Sequence, residues 1–186
     1  RLLIFLFFQF FIFNNCVIAS EKWVVDKQIS EISFEVPVLF ASNVKGFFNN
    51  FDGFVQIDTN KKENNKAIFS VSIDSVNINY EKYKNFLLNS IFFDSKKYPL
   101  SVLDTNNFSY KNNRKIIIDI ELIIKGKSKK IPLELNINKL TKNLVQVKGE
   151  LVFLRSDFDI GIGKWKNTTF LKNKVKLSYN IFLFKE

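Results

Sequence analysis

Apolar and polar residues alternate with a period of two along most of this chain. The clearest runs cover residues 32–38, 67–73, 133–137 and 175–181. Because successive side chains of a β-strand point to opposite faces, each run predicts an antiparallel strand with one buried and one solvated face. Clusters of turn-forming residues separate the runs. The pattern therefore predicts an all-β domain of roughly eight antiparallel strands.

The alternation also predicts which side chains face the interior. We expect one apolar set to point inwards: Ile32, Phe34, Val36 and Val38. We expect the intervening polar set to face solvent: Glu31, Ser33 and Glu35. Residues 116–124 are more uniformly apolar, which indicates a strand covered on both faces.

One segment has helical periodicity. Tyr83, Phe86, Leu87 and Ser90 recur at intervals of three or four residues, which predicts a short amphipathic helix over residues 79–90. Asn79 is expected to cap the first turn of this helix. A single helix among roughly eight strands suits a closed barrel. A twisted β-sandwich accommodates the same pattern, so alternation alone leaves both architectures open.

Residues 44–53 read V-x-G-x-F-x-x-F-x-G. Glycines at set offsets between aromatic residues indicate sharp bends or close backbone approach in a curved sheet. The aromatic residues supply large apolar faces to one side of that sheet. The segment therefore favours a hollow or barrel-like β-fold.

Residues 1–19 have the features of a secretory signal peptide. Arg1 precedes an apolar run at 2–13, and small residues follow at Ala19 and Ser20. A basic start, a short apolar core and a small-residue exit are typical of a cleaved signal, whereas a bilayer span needs about 20 apolar residues. An uncleaved anchor or a buried first strand is the alternative. Lipidation of Cys16 is disfavoured, because Asn14 and Asn15 do not match the small or apolar residues that precede a lipidated cysteine. We expect cleavage after Ala19 or Ser20, one domain over residues 20–186 and a periplasmic location.

The composition removes most catalytic and metal-binding chemistry. The chain has no histidine, and its single cysteine, Cys16, lies within the predicted signal. Histidine is the usual general base near neutral pH, and histidine and cysteine are common zinc ligands. The carboxylates fall mostly at turns, where solvated Asp is frequent, and no phosphate-binding glycine loop is present. We therefore expect no enzyme activity, no metal and no cofactor.

Two compositional features have functional meaning, a formal net charge of +10 and 22 phenylalanines. Dispersed positive charge attracts polyanions weakly, and A/T-rich codon usage accounts for abundant Lys, Asn, Ile and Phe equally well. The phenylalanines either fill an ordinary core or line an apolar cavity, since ligand pockets are mostly apolar. Composition alone leaves these alternatives open.

Five segments, in order along the chain, together resemble one known family. The first segment covers residues 23–36 and the second is the glycine–aromatic motif at 44–53. The third is L-N-S-I-F-F-D at 88–94, with Tyr98-Pro99 after it. I-I-K-G-K-S-K-K-I-P-L at 123–133 resembles a hairpin of the family, and R-S-D-F-D-I-G at 155–161 resembles one of its strands. Together these segments resemble the YceI-like family, and the resemblance covers about residues 23–184.

The resemblance implies a lipocalin-like barrel with a polyisoprenoid chain in an apolar tunnel. On that interpretation, the residues expected to line the tunnel are Phe34, Val36, Phe47, Phe51, Phe69, Val71, Phe86 and Trp165. Lys84 and Arg155 are the candidates for contact with a polar head group, because cationic side chains form charge-assisted hydrogen bonds to phosphate.

The chain departs from the family at positions where histidine is often found. Ile29, Val38 and Phe86 stand at those positions. We therefore expect head-group recognition to be altered or lost, and the interior to be more apolar.

Together these features predict an exported protein that sequesters or carries a polyisoprenoid or similar long-chain lipid. The alternative is a basic surface-binding module attracted to an anionic membrane or another polyanion, without an internal ligand. Transient contact with an anionic membrane and a homodimer are further partner predictions, and no nucleic acid is expected.

Overall fold

The computed structural model of the protein describes residues 20–186, so the predicted signal peptide lies outside the described residues. In this part of the chain eleven strands form one sheet. Their bounds are β1 (Glu21–Val25), β2 (Glu31–Val36), β3 (Val44–Phe48), β4 (Phe51–Ile57), β5 (Lys66–Ser72), β6 (Val76–Ile78), β7 (Leu100–Asn106), β8 (Lys115–Ile124), β9 (Lys127–Lys139), β10 (Leu144–Leu154) and β11 (Lys174–Lys185).

The sheet closes on itself as an eight-stranded barrel. The hydrogen-bonded order is β1, β4, β5, β7, β8, β9, β10 and β11, and β1 also pairs with β11. β2 continues β1, β3 leads into β4, and β6 continues β5, so each of these pairs acts as one barrel strand. Every pairing is antiparallel. The predicted antiparallel, lipocalin-like barrel is confirmed over the sandwich.

Short breaks interrupt these composite strands. The break at Asn49-Asn50 lies beside the 3₁₀ turn Ile73–Ser75 on the neighbouring strand. The backbone N–H of Ser72 donates to the Asn50 carbonyl at 2.9 Å, and the N–H of Asn49 donates to the Ser75 carbonyl at 3.2 Å. Two adjacent strands therefore bend at the same place, which helps the sheet curve into a barrel.

Three glycines in the barrel wall make room for aromatic side chains on the neighbouring strand. The facing pairs are Gly46 with Phe34, Gly53 with Phe69, and Gly149 with Tyr179. A Cβ atom on Gly46 would lie 2.7 Å from the Phe34 ring, closer than real Cβ contacts allow. The close approach that the motif at 44–53 predicted is confirmed.

The helical segment is shorter than predicted. A 3₁₀ turn at Glu81–Tyr83 leads directly into α1 (Lys84–Leu88), and Asn89 is already extended. Asn79 does not cap this helix, because its side-chain oxygen accepts the backbone N–H of Lys45 on β3 at 3.0 Å. Within residues 20–186, no helix combines the length and apolarity needed to cross a membrane.

The burial of side chains on β2 and β8 can be compared with the faces predicted for these strands. Ile32 and Val36 on β2 are buried and Glu31 is exposed, so the predicted register at 31–38 is confirmed. β8 was expected to be covered on both faces, but Ile117 is 67% exposed and Asp119 is also exposed. That expectation is wrong, because the outer face of the barrel is solvated along this strand.

Candidate ligand-binding cavity

A cavity of about 1250 Å³ occupies the inside of the barrel. Its volume exceeds the roughly 300–1,000 Å³ that is usual for ligand pockets. All eight barrel strands contribute lining side chains, most of them aliphatic or aromatic.

Exposed side chains line this cavity at both ends of the barrel. One end, called here the helix end, consists of the loops at 37–43 and 155–173 and the segment 79–99 that contains α1. Ser42 and Phe170 line the cavity there and are exposed. The opposite end, the terminal end, consists of the loops at 58–65, 107–114 and 140–143. Thr59 and Asn112 line the cavity there and are exposed. The cavity therefore has the form of a tunnel along the barrel.

Six of the eight residues expected to line the tunnel do face the cavity: Phe34, Val36, Phe69, Val71, Phe86 and Trp165. The first four lie on β2 and β5, where uninterrupted alternation turns every second side chain inwards. Phe86 comes from α1, and Trp165 from the 3₁₀ turn Gly163–Lys166. Contact between these side chains and a ligand stays a prediction.

Phe47 and Phe51 are the two exceptions. Phe47 is 41% exposed on the outer face of β3, whereas its neighbour Phe48 is buried and lines the cavity. Phe51 is only 4% exposed but lies outside the lining set. In an uninterrupted strand, residues three positions apart face opposite sides of the sheet. The break at Asn49-Asn50 shifts the alternation by one residue, so Phe48 and Phe51 are both buried. The prediction that Phe47 lines the cavity is wrong, and Phe51 belongs to the packed core.

Three aromatic rings pack against one another at the helix end. The ring centroids of Phe86 and Phe92 are 5.0 Å apart, and the Trp165 ring lies 5.5 Å from Phe86 and 5.7 Å from Phe92. The tilted and edge-on arrangements are those that aromatic pairs prefer. The indole N–H of Trp165 is buried and has no hydrogen-bond partner within residues 20–186. The cluster thus leaves one buried donor beside the cavity.

Arg155 is buried at the end of β10, with 2% of its surface exposed. A guanidinium has five N–H donors, and all five are used here. They donate over 2.9–3.4 Å to the backbone carbonyls of Ile160, Gly161, Asn167, Leu171 and Lys172. Burial lowers the pKa of the Arg155 guanidinium. Arg155 therefore holds the 155–173 loop in place with all its donors used. It also lines the cavity, and its contact with a head group stays a prediction.

Lys84, the other head-group candidate, is partly buried at the start of α1 and is not among the lining residues. Its contact with a head group stays a prediction. Of the three residues at the family's histidine positions, Val38 and Phe86 line the cavity. Ile29 is 49% exposed in the turn between β1 and β2. Only two of these residues make the interior more apolar.

A set of polar side chains at the terminal end was not predicted from the sequence. Glu21, Tyr110, Asn112 and Lys139 line the cavity there. The Lys139 ammonium donates to the Asn112 side-chain oxygen at 2.7 Å. Burial, with a smaller contribution from Glu21, raises the pKa of the Tyr110 hydroxyl. These residues are far apart in the sequence and share no motif, so only barrel closure brings them together.

Tyr179 is a second lining residue that was missed. Its hydroxyl lies against Gly149 on the neighbouring strand and donates a hydrogen bond to the Glu134 carbonyl at 2.7 Å. Burial raises the pKa of this hydroxyl well above its usual range. The alternation at 175–181 contained the signal, because Tyr179 occupies the apolar face of that run.

Two carboxylates, Glu21 and Asp58, line the cavity, both at its terminal end. Lys27 donates to Asp52 at 2.6 Å and Asn64 donates to Asp58 at 2.8 Å, and these hydrogen bonds lower the pKa of both carboxyl groups. Within residues 20–186, no group of three or more Asp, Glu, His or Cys side chains is placed to hold a metal ion. The geometry is suited to enclosing an apolar molecule.

Solved structures with the same architecture come from several bacteria. Burkholderia cenocepacia BcnA aligns with a TM-score of 0.76 and 22% identity over 85% of this chain and 98% of that chain. The Campylobacter jejuni YceI protein aligns with a TM-score of 0.68 and 26% identity over 81% of this chain and 89% of that one. A polyisoprenoid binding domain from Saccharophagus degradans aligns with a TM-score of 0.70 and 15% identity over 88% of this chain and 98% of that one.

Sequence comparison leads to the same group of proteins. A UPF0312 protein from Staphylococcus aureus (strain N315) is 29% identical over 134 residues, which make up 70% of this chain and 75% of that protein. The YceI-like domain matches residues 23–183, nearly all of the barrel. The chain therefore belongs to the YceI-like family.

Proposed function

We propose that this protein is an exported carrier that holds a polyisoprenoid or a similar long amphiphile inside its barrel. The proposal rests on the tunnel of about 1250 Å³ with mostly apolar walls. Side chains can fill the interior of a barrel of about eight strands, so an interior left this open indicates a ligand. The polyisoprenoid binding domain from Saccharophagus degradans has the same fold, which supports the ligand class.

Binding would be driven by the removal of apolar surface from water. A long isoprenoid is poorly solvated by water, and burial recovers about 0.8 kcal/mol for each CH₂ group. Phe34, Phe69 and Val71 offer walls with no polar group to desolvate. The same walls contain neither a histidine nor a cysteine, so we assign the protein a binding role and not an enzymatic one.

Export is the second part of the proposal. Residues 2–13 are mostly apolar and Ala19 and Ser20 follow, as in a cleaved signal peptide. A periplasmic carrier would meet its lipid outside the cytoplasmic membrane. A module without an internal ligand is the weaker candidate, because it does not account for the tunnel.

Native mass spectrometry of the protein purified from its own host tests this function. We expect a mass in excess of the polypeptide that corresponds to a long-chain lipid and disappears on extraction with organic solvent. The spectrum of the denatured protein is the control, since it reports the polypeptide alone. If no lipid co-purifies and the solvent-extracted protein takes up no isoprenoid alcohol, the carrier function is overturned.

A further inference from the structure

Two exposed aromatic residues lie on neighbouring loops at the helix end of the tunnel. Phe40 is 93% exposed and Phe170 is 64% exposed. They belong to adjacent loops that are joined by a β-bridge between Val38 and Leu171 and by a hydrogen bond of 2.8 Å from the Leu39 N–H to the Phe170 carbonyl. A single exposed apolar residue is ordinary. Here two phenylalanines lie on neighbouring backbones at a cavity mouth.

The backbone at Phe40 is unfavourable for a phenylalanine. Its φ of 60° lies in the left-handed region, where glycine and asparagine are preferred and a bulky residue is an outlier. The position thus combines backbone strain with almost complete exposure of an aromatic ring. Neither property stabilises the folded barrel, so the ring is explained better by an external partner than by folding.

Phe170 connects this pair of exposed phenylalanines to the tunnel. Its side chain lines the cavity although it is mostly exposed, and exposed Ala41 and Ser42 from the facing loop line the same opening. A partner that covers Phe40 and Phe170 would therefore cover the mouth of the tunnel.

The charge of the helix end defines the chemistry of that partner. The segments 37–43, 79–99 and 155–173 carry eight Lys and Arg residues against four Asp and Glu residues. Arg155 is buried, but Lys164 and Lys166 are exposed on the same loop as Phe170. Exposed aromatic rings next to lysines match an anionic lipid surface, where rings enter the interface and lysines meet phosphate groups.

We propose that the helix end docks on anionic phospholipid bilayers through Phe40 and Phe170, with the tunnel mouth against the membrane. This inference goes beyond the carrier function, because docking is measured on vesicles without any ligand in the tunnel. It also assigns a direction: the mouth beside α1 is where lipid exchanges with the bilayer, and the terminal end points towards solvent.

Fluorescence quenching locates the contact. Phe40→Trp is compared with Leu140→Trp, because Leu140 is 49% exposed at the terminal end. With vesicles of phosphatidylethanolamine and phosphatidylglycerol that contain brominated acyl chains, we expect added quenching of the tryptophan at position 40 only. Trp23 and Trp165 are common to both proteins and cancel in the comparison. Equal quenching at positions 40 and 140 would overturn the proposed orientation.

Binding to the same vesicles, measured by co-sedimentation of the full chain, gives the energetic test. Phe40→Gly with Phe170→Ser should weaken binding roughly tenfold or more, since two large apolar side chains are lost. The control Leu140→Ser should bind as the parent does. Vesicles of phosphatidylcholine, or high salt, should also weaken parental binding, because screening suppresses exposed charge interactions.

Stability measurements separate docking from folding. Phe40→Gly should leave the melting temperature unchanged or raise it, since glycine adopts the left-handed backbone without strain. Weaker vesicle binding in a protein that melts no earlier supports docking. Unchanged vesicle binding in the double variant, or no binding of the parent to anionic vesicles, overturns the proposal. So does loss of a dimer in the double variant without loss of vesicle binding, since the two rings would then pack against a second copy of the chain.

Discussion

At the scale of single residues, the glycines of the barrel wall determine where aromatic rings can lie. The far edge of the Phe34 ring occupies the place where a Cβ of Gly46 would be. The ring therefore lies against the backbone of β3, and less of its bulk enters the lumen. Gly53 and Phe69 repeat the arrangement on the next strand pair. Such glycine–aromatic pairs cover exposed backbone and also keep the tunnel open.

Gly46→Ala tests this packing. The new methyl group would meet the Phe34 ring at 2.7 Å and, on the backbone side, crowd the Asn77 carbonyl. We expect the free energy of unfolding to fall by about 1–3 kcal/mol, as for other overpacked sites. Urea denaturation measures the change. Lys45→Ala on the exposed face of β3 is the control and should change stability by less than about 0.5 kcal/mol. Equal effects of the two substitutions would contradict the packing described for Gly46.

Val71→Trp tests whether the tunnel holds the lipid. Val71 lines the cavity from β5, so a larger side chain has space to enter it. We expect lipid uptake to be lost while the melting temperature changes little, because the indole fills a void. In a solid core the same substitution would cost typically 1–3 kcal/mol.

The control for this experiment is Ser70→Trp, which places the same side chain on the outer face of the same strand. It should leave lipid uptake intact, and isoprenoid binding and thermal melting are measured on both variants. Full uptake by Val71→Trp would contradict a ligand site at the middle of the tunnel. A large loss of stability in a parent that binds no lipid would mean that the phenylalanines form an ordinary core.

At the scale of elements, the 155–173 loop depends on one buried cation. Loops of this length usually carry either function or disorder. Here Arg155 joins its two halves, since its guanidinium bonds Ile160 and Gly161 on one side and Asn167, Leu171 and Lys172 on the other. The loop in turn presents Trp165 and Phe170 to the tunnel mouth, so the geometry of the mouth rests on Arg155.

Arg155→Met should loosen this loop. The substitution keeps much of the side-chain length but leaves buried carbonyls unpaired, each at a cost of about 1–3 kcal/mol. We expect stability to fall by roughly 2–5 kcal/mol after partial relaxation. Hydrogen exchange should accelerate in residues 155–173 before the rest of the barrel. Arg155→Lys should restore little, since an ammonium cannot reproduce the five-donor fork. Unchanged exchange in the loop of Arg155→Met would contradict its role.

At the scale of the whole molecule, closure of the barrel creates the functional volume. The pairing of β1 with β11 joins the two ends of the sheet. Side chains that are remote in sequence then surround one tunnel, with aromatic rings at one end and the polar group of Glu21, Tyr110, Asn112 and Lys139 at the other. Self-association into a homodimer stays a prediction, which the native mass spectrum of the purified protein also tests.

The proposed export predicts the mass of the exported protein. Cleavage after Ala19 or Ser20 would leave a chain that begins at Ser20 or Glu21. Intact-mass measurement of the exported protein distinguishes these products from an unprocessed chain. A mass that includes residues 2–13, or a diacyl adduct on Cys16, would contradict a soluble periplasmic carrier.

The sequence by itself determined the class of fold, the position of the helix and six of the eight lining residues that it predicted. Period-two alternation is a relation between neighbours in the chain, so it can be read without knowing the partner strand. This is why the inward faces of β2 and β5 were predicted correctly. The family motifs added the choice of barrel over sandwich, which alternation leaves open.

Only the tertiary structure decided the remaining features of the site. The break at Asn49-Asn50 moves the inward face, so Phe47 points outwards; that break is defined by hydrogen bonds to another strand. Arg155 finds its five acceptors in a folded loop, and the polar terminal end gathers residues from separate segments. The volume of the tunnel also depends on residues that are far apart in the sequence. It is the volume that the closed barrel encloses less the volume that its inward-facing side chains fill.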